Sequence, residues 1–205
     1  MRLLTNKIVL GLSTLSALIG LAFLFWILGT LMYKGLSSVH LSLFYTDLVN
    51  GGLRNVLIGQ FVMAGIATLI GIPLGILAGI YLREYGHGSK YAEFLRDLSD
   101  IMMSAPSIVI GAFVYAVLVI PFGGASGWAG SVALTIMMVP IIIRTTDDML
   151  SLVPQELREA GIALGAPKHR VILDVVLKAV KVGIMTGFLL AFARIIGETA
   201  PLLFT

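Results

Sequence analysis

The stretch Ile101–Ile143, IMMSAPSIVIGAFVYAVLVIPFGGASGWAGSVALTIMMVPIII, holds 43 residues without a charge. As one helix it would be about 65 Å long, about twice the hydrocarbon core of a bilayer. Its middle reads Pro121-Phe122-Gly123-Gly124-Ala125-Ser126-Gly127, which is turn chemistry. The stretch therefore predicts two membrane spans joined by a short uncharged hairpin. Ser104, Pro106 and Ser107 stand where the first of these two spans begins. They either break a helix and free backbone groups or simply start the span.

The rest of the chain extends the same pattern. Nothing between Lys7 and Lys34 is charged, a run of 26 residues. Its length exceeds the apolar core of a signal peptide, and no small-residue cleavage site follows it, which favours an uncleaved first span. A second span is predicted near Val56–Leu82, again free of charge. A last span runs from about Val182 to the end of the chain and holds Arg194 and Glu198. Over 205 residues, 58% are hydrophobic and 12% charged, and mean hydropathy is +1.01. So few charges cannot cover a water-facing surface, so a soluble or disordered chain is excluded. The reading is an all-α, polytopic membrane protein with five predicted transmembrane helices.

Basic residues orient the spans. With the N-terminus inside, eleven lysines and arginines fall on the cytoplasmic side, and only Lys34 and Arg54 outside. The net charge of +3 thus reports topology, not nucleic-acid binding. Without cysteine, disulfides, thiolate metal sites and a cysteine nucleophile are excluded. No metal site and no catalytic residue is predicted. Gly124-Ala125-Ser126-Gly127 matches a serine-protease string by chance, since His40, His87 and His169 all lie outside the spans. There is no phosphate-cradling Walker loop.

Two inner loops carry the remaining charge. In residues 83–100, Tyr91, Phe94, Leu95 and Leu98 form a helical stripe, suited to a membrane interface or to a partner. Residues 144–181 contain two short helical patterns. The first starts near Pro154, with Glu156 and Glu159 in its early turns; Met149, Val153, Leu157, Ala160 and Leu164 recur along it. Gly165 caps it and Pro167 prevents continuation. Val171, Ile172, Val175 and Val176 line one side of the second. Two such helices make a protruding knob suited to docking. In the second span, Gly71, Gly75 and Gly79 predict close helix packing, with a kink at Pro73.

The spacing Glu159-Ala160-Gly161, three residues, Gly165, nine residues, Val175-x-Leu177 resembles the EAA loop of ABC importer permeases. It departs from that pattern at Gly161, Val175 and Lys178. Arg144-Thr145-Thr146, Leu157-Arg158-Glu159-Ala160 and Gly197-Glu198-Thr199-Ala200-Pro201-Leu202-Leu203 are similar to PstA-type phosphate permeases. So are Ser104-Ala105-Pro106-Ser107 and Ser126-Gly127-Trp128-Ala129-Gly130, and the likeness covers nearly the whole chain.

The resemblance implies a type I ABC importer transmembrane domain. Residues 1–52 would supply the first helix and an extracytoplasmic loop, and residues 53–205 the importer domain. The family's sixth helix is absent, and the loop 144–181 would couple to the ATPase. It implies a multi-pass protein of the bacterial inner membrane importing inorganic phosphate, with no ATPase site of its own. No cofactor is expected on this chain; ATP and magnesium belong to the partner. Implied partners are a homologous PstC-type permease, PstB-type ATPase subunits, an extracytoplasmic phosphate-binding protein and membrane lipid, with no nucleic acid. Glu159, Ala160, Gly161, Gly165, Val175 and Leu177 would form the ATPase-coupling loop.

Arg194 and Glu198, spaced i, i+4 in the last span, are either a structural ion pair or a translocation-path pair. An arginine fork suits a tetrahedral oxyanion, and the resemblance favours the path. Arg144 with Asp147 and Asp148 is either a topology signal or a gate. The alternative function is a secondary transporter or channel subunit for another oxyanion.

Overall fold

A computed structural model describes residues 2–36 and 38–205, with side chains described from Asn6 onward. The side chain of Arg2, one of the inner-side charges counted above, lies outside the described residues. The contacts divide the chain into two units, Met1–Val56 and Leu57–Thr205.

In the first unit, helix α1 runs over Arg2–Leu36, and from Asn6 it is long and apolar enough to cross a membrane. Two short 3-10 turns follow, Leu41–Phe44 and Leu48–Asn50. Leu53 N–H donates to Leu43 O at 2.7 Å and Arg54 N–H to Thr46 O at 3.1 Å, closing that segment into a loop.

The second unit contains most of α2, Arg54–Tyr85, whose last turn, Tyr81–Tyr85, widens to a π-helix. Its buried residues between Arg54 and Ile80 are Ala64, Ala67, Gly71, Gly75 and Gly79, all small. Its large side chains, such as Leu69, Leu74 and Leu77, point outward. That inversion of a soluble helix is the membrane solution: backbones approach through small residues, and bulky apolar groups face lipid.

Helix α3, Lys90–Ser104, and helix α4, Ser107–Phe122, meet at a 102° bend. Ala105 (ψ 136°) and Pro106 (ψ 130°) are both extended. Proline lacks the N–H that would continue the ladder and disfavours helix in the residue before it. The third predicted span is therefore a broken one, and the five predicted spans are met when the bent pair is counted as one. Its first residues, Ile101–Ser104, belong to α3, and α4 alone is about 24 Å long, short of a full crossing. The stripe on α3 faces outward, as a stripe for a membrane interface or a partner does. Tyr91, Phe94 and Leu98 are exposed, while Ala92 and Ser99 are buried.

The predicted hairpin turn falls at Gly123, in the left-handed region with φ +81°. Helix α5, Gly127–Ser151, then begins at Ser126, whose Oγ accepts from Ala129 N–H at 3.3 Å. This is a side-chain cap on an otherwise orphan donor. Helix α6, Gln155–Ala163, is short. Helix α7, Lys168–Ile196, is one continuous element about 43 Å long. The second short pattern of the inner loop is therefore not a separate helix. It is the first third of α7, with a π-helical stretch at Val171–Val176. Nor does the last span reach the end of the chain, since α7 stops at Ile196 and a 3-10 turn, Pro201–Leu203, follows.

Helices α2 and α7 both pack on α5, around a core of Ala64, Ala67, Leu134, Met138, Ile142, Ala191 and Ile195. The three glycines of α2 meet α5 in register. A Cβ on Gly71 would lie 3.4 Å from Met138, on Gly75 2.6 Å from Ile142, and on Gly79 2.6 Å from Thr146. Gly183 and Gly187 of α7 face Met149 and Thr145 in the same way. The close packing expected of the second span is present, and α7 repeats it on another side of α5.

Candidate functional site

At one end of the bundle, α6 and the start of α7 form the knob. Pro154, extended at ψ 146°, starts α6, and Glu156 sits in its first turn, where the helix dipole favours an acid. The helix ends in a Schellman arrangement. Gly165 N–H donates to Ile162 O at 2.9 Å and Ala166 N–H to Gly161 O at 3.3 Å, with Gly165 at φ +83°. Glycine takes this conformation without a Cβ clash. Pro167 then starts α7.

The six loop residues divide into two sets. Glu159, Ala160 and Gly165 are exposed on the surface of the knob. They lie on α6 or at its end, where Leu164 is 89% exposed and Ile162 52% exposed. Gly161 faces inward: a Cβ there would lie 3.0 Å from Val171. An alanine at that position would press on α7, which accounts for this departure from the pattern. Val175 and Leu177 lie on α7 and pack against the small core of Leu150, Val153, Val171 and Val176.

The residues that fasten the knob were not singled out from the sequence. Arg158 is buried on the inner face of α6 and Glu84 on the last turn of α2. Arg158 Nη2 lies 2.8 Å from Glu84 Oε1, and its Nε 3.0 Å from the same oxygen. The guanidinium also donates to Val153 O at 2.6 Å and Leu150 O at 2.9 Å. Lys168 Nζ donates to Glu84 O and lies 4.3 Å from the Tyr85 ring centre. One buried, multiply bonded arginine thus joins α5, α6 and α2.

The charges at the C-terminal end of α5 pair both along the helix and across to α3. Arg144 binds Asp148 at 3.1 Å and Asp100 of α3 at 3.2 Å. Asp147 does not pair with Arg144. Its Oδ2 accepts from Arg96 Nε at 2.8 Å, and Arg96 Nη2 donates to Leu82 O at 2.8 Å. Of the two aspartates grouped with Arg144, Asp148 pairs with it one turn on, and Arg96 reaches Asp147 from α3. The two ion-pair sets tie α3 to α5 and to the end of α2.

At the opposite end of α7, Arg194 and Glu198 are together, with Arg194 Nε 3.7 Å from Glu198 Oε1. They do not share a helix face, because the helix ends at Ile196 and Glu198 lies beyond Gly197. The Arg194 side chain is half exposed and that of Glu198 mostly buried. Gln60 of α2, a further residue the sequence did not flag, donates from Nε2 to Ile196 O at 3.2 Å. It satisfies a terminal carbonyl that the helix leaves open. The chain then folds back so that Pro201 lies against Gly111 of α4; a Cβ there would be 2.6 Å from Pro201 Cα. Arg194 therefore stands beside a broken helix end, with exposed donors that can meet an oxyanion and a carboxylate beside them.

The family model described as "Binding-protein-dependent transport system inner membrane component" matches residues 71–205. A protein of Haemophilus influenzae named phosphate transport system permease protein PstA is 54% identical over 204 residues, covering 98% of this chain and 72% of that relative. A protein of the same name from Pasteurella multocida is 50% identical over 208 residues, covering 100% of this chain and 74% of the relative. Among solved structures, an inward-facing MetNI methionine ABC transporter superposes with a TM-score of 0.61 at 21% identity, covering 78% of this chain and 74% of the other. The type I importer fold is therefore shared, with, among the described residues, four helices long and apolar enough to cross a membrane and a bent pair beside them.

Proposed function

The chain belongs to the inner-membrane components of binding-protein-dependent transport systems, and on that footing we propose that it is the PstA-type permease subunit of an ATP-driven inorganic phosphate importer. The observation that carries this reading is a likeness at 54% identity over 98% of the chain, which takes in both the knob and the Arg194–Glu198 pair. The N-terminus and the knob lie in the cytoplasm. A homologous permease completes the pathway, an extracytoplasmic binding protein delivers phosphate, and ATPase subunits dock on the exposed face of α6. ATP and magnesium belong to those ATPases, and this chain hydrolyses nothing.

The geometry supports a route for the coupling. Glu159, Ala160, Leu164 and Gly165 form the face that meets the ATPase. Motion of α6 passes through Arg158 and Glu84 to the end of α2, and through Val175 and Leu177 to α7. Both helices are seated on α5 by glycine contacts, so they move with it as packed bodies. At the far end, Arg194 offers a fork to phosphate. Glu198 competes for that fork and keeps the bound state short-lived. ATP binding closes the ATPases and draws the knobs together, opening the pathway outward; hydrolysis returns it.

The test is phosphate uptake in cells lacking this chain. Wild-type chain is expected to restore uptake only when the ATPase is active. Restoration that persists with an inactive ATPase would instead establish a secondary transporter.

A further inference from the structure

Between the knob and the end of α2 lies a cleft of about 500 Å³. Its walls carry Arg83, His87, Arg158 and Lys168 against a single carboxylate, Glu84. Both oxygens of that carboxylate are taken up by Arg158, at 3.0 and 3.3 Å from its Nε. Lys168 is held in place by a backbone carbonyl and an aromatic ring, neither of which cancels its charge. Arg83 is partly buried. It is engaged by no hydrogen bond or ion pair among the described residues, and neither is His87.

A partly buried guanidinium without an anion is costly, because it has lost water and gained no partner. Here it shares a cleft with an uncompensated ammonium and an imidazole, so the surplus charge is concentrated. The π-helical turn Tyr81–Tyr85 places Arg83 in the cleft wall and buries its neighbour Glu84. Such turns are frequent at functional sites. The same turn ends an apolar span and carries Tyr81 and Tyr85, the side chains found at the level of lipid headgroups. Planar forks and ammonium groups together match an oxyanion with several acceptor oxygens.

We propose that Arg83, His87 and Lys168 form a binding site for a phosphate group, borne by an anionic lipid headgroup or by free inorganic phosphate. The site is separate from Arg194 at the other end of α7. Its occupant would neighbour the Arg158–Glu84 pair and so bear on how firmly the knob is held.

The test uses the full chain in phosphatidylcholine nanodiscs, with the double variant Arg83→Gln/His87→Gln. An Arg194→Gln background removes, in every sample, the phosphate contact proposed at the far end of α7. In one arm, equilibrium binding of radiolabelled inorganic phosphate is measured. In the other, phosphatidylglycerol is mixed into the discs, and native mass spectrometry counts the molecules retained. The double variant is expected to bind about tenfold less, or weaker still, in one arm, as loss of charge-assisted contacts requires. The arm that responds identifies the source. Arg83→Lys, which keeps the charge, is expected to fall between the two and guards against misfolding. Equal binding by the parent and the double variant in both arms, or no binding in either, overturns the proposal.

Discussion

Removing the Arg158 guanidinium is the most informative perturbation of the knob. In Arg158→Met the stem is kept and the charge lost. The Glu84 carboxylate, with a side chain only 5% exposed, loses the guanidinium bonded to it. The carbonyls of Val153 and Leu150 lose the guanidinium as a donor as well. Breaking a buried pair from one side costs about 3–5 kcal/mol, and roughly 1.4 kcal/mol is a tenfold change in an equilibrium. The docked state of α6 should therefore weaken by a factor on the order of 100 or more. Hydrogen exchange of the backbone over residues 155–166 reads this directly, since protection there reports local opening. Arg158→Met should exchange far faster in that segment, while α5 keeps its protection. Adding Glu84→Leu removes the stranded charge, and most of the protection should return, because replacing both partners of a buried pair by apolar groups is often neutral or better. Unchanged exchange in the single variant, or a double variant worse than both singles combined, would refute the latch reasoning.

Three further outcomes are expected. Gly165→Ala forces a Cβ into a left-handed position and should cost roughly 1–2 kcal/mol; co-purification with the ATPase should fall, and equal recovery would remove the cap from the coupling account. Gly75→Val should lower the melting temperature, by overpacking worth about 1–3 kcal/mol, because its Cβ lies 2.6 Å from Ile142. Gly65→Ala on the same helix meets nothing within 4 Å and should be neutral or slightly stabilising; parity of the two would contradict the α2–α5 register. Gln60→Leu leaves the Ile196 carbonyl without its donor, at about 1–3 kcal/mol, and should raise the KM for phosphate uptake with the complex intact. An unaltered KM would mean that the helix end does not position Arg194.

What the sequence made legible followed from one-dimensional signals. Charge-free runs locate the apolar helices because a bilayer tolerates few charges. Gly123, Gly165 and Ser126 mark turns because each meets a local backbone demand. Gly71, Gly75 and Gly79 read as a packing face because their spacing of four matches the helix period. Tertiary neighbours and local breaks decide what spacing leaves open. Asp147 sits three residues from Arg144, yet Arg96, distant in sequence, takes it. Glu198 has the spacing of a helix partner for Arg194, but Gly197 ends the helix between them. The Ala105–Pro106 break carries no charge, so charge patterning does not show it; Ser104, Pro106 and Ser107 mark it as one of two readings. Glu84 and Arg158 lie 74 residues apart, each in a charged loop, and nothing local distinguishes a buried partner from a solvated one. Gln60, neutral within an apolar run, left no trace in the charge pattern.

The most direct measurement is ATP-driven phosphate accumulation by proteoliposomes holding this chain with its partner permease and ATPases, the binding protein being supplied on the outside. The account predicts that the wild-type complex concentrates phosphate only when ATP is hydrolysed. With Arg194→Gln the complex should assemble, hydrolyse ATP and accumulate none. Accumulation without ATP, or full accumulation by the Arg194→Gln complex, would contradict it.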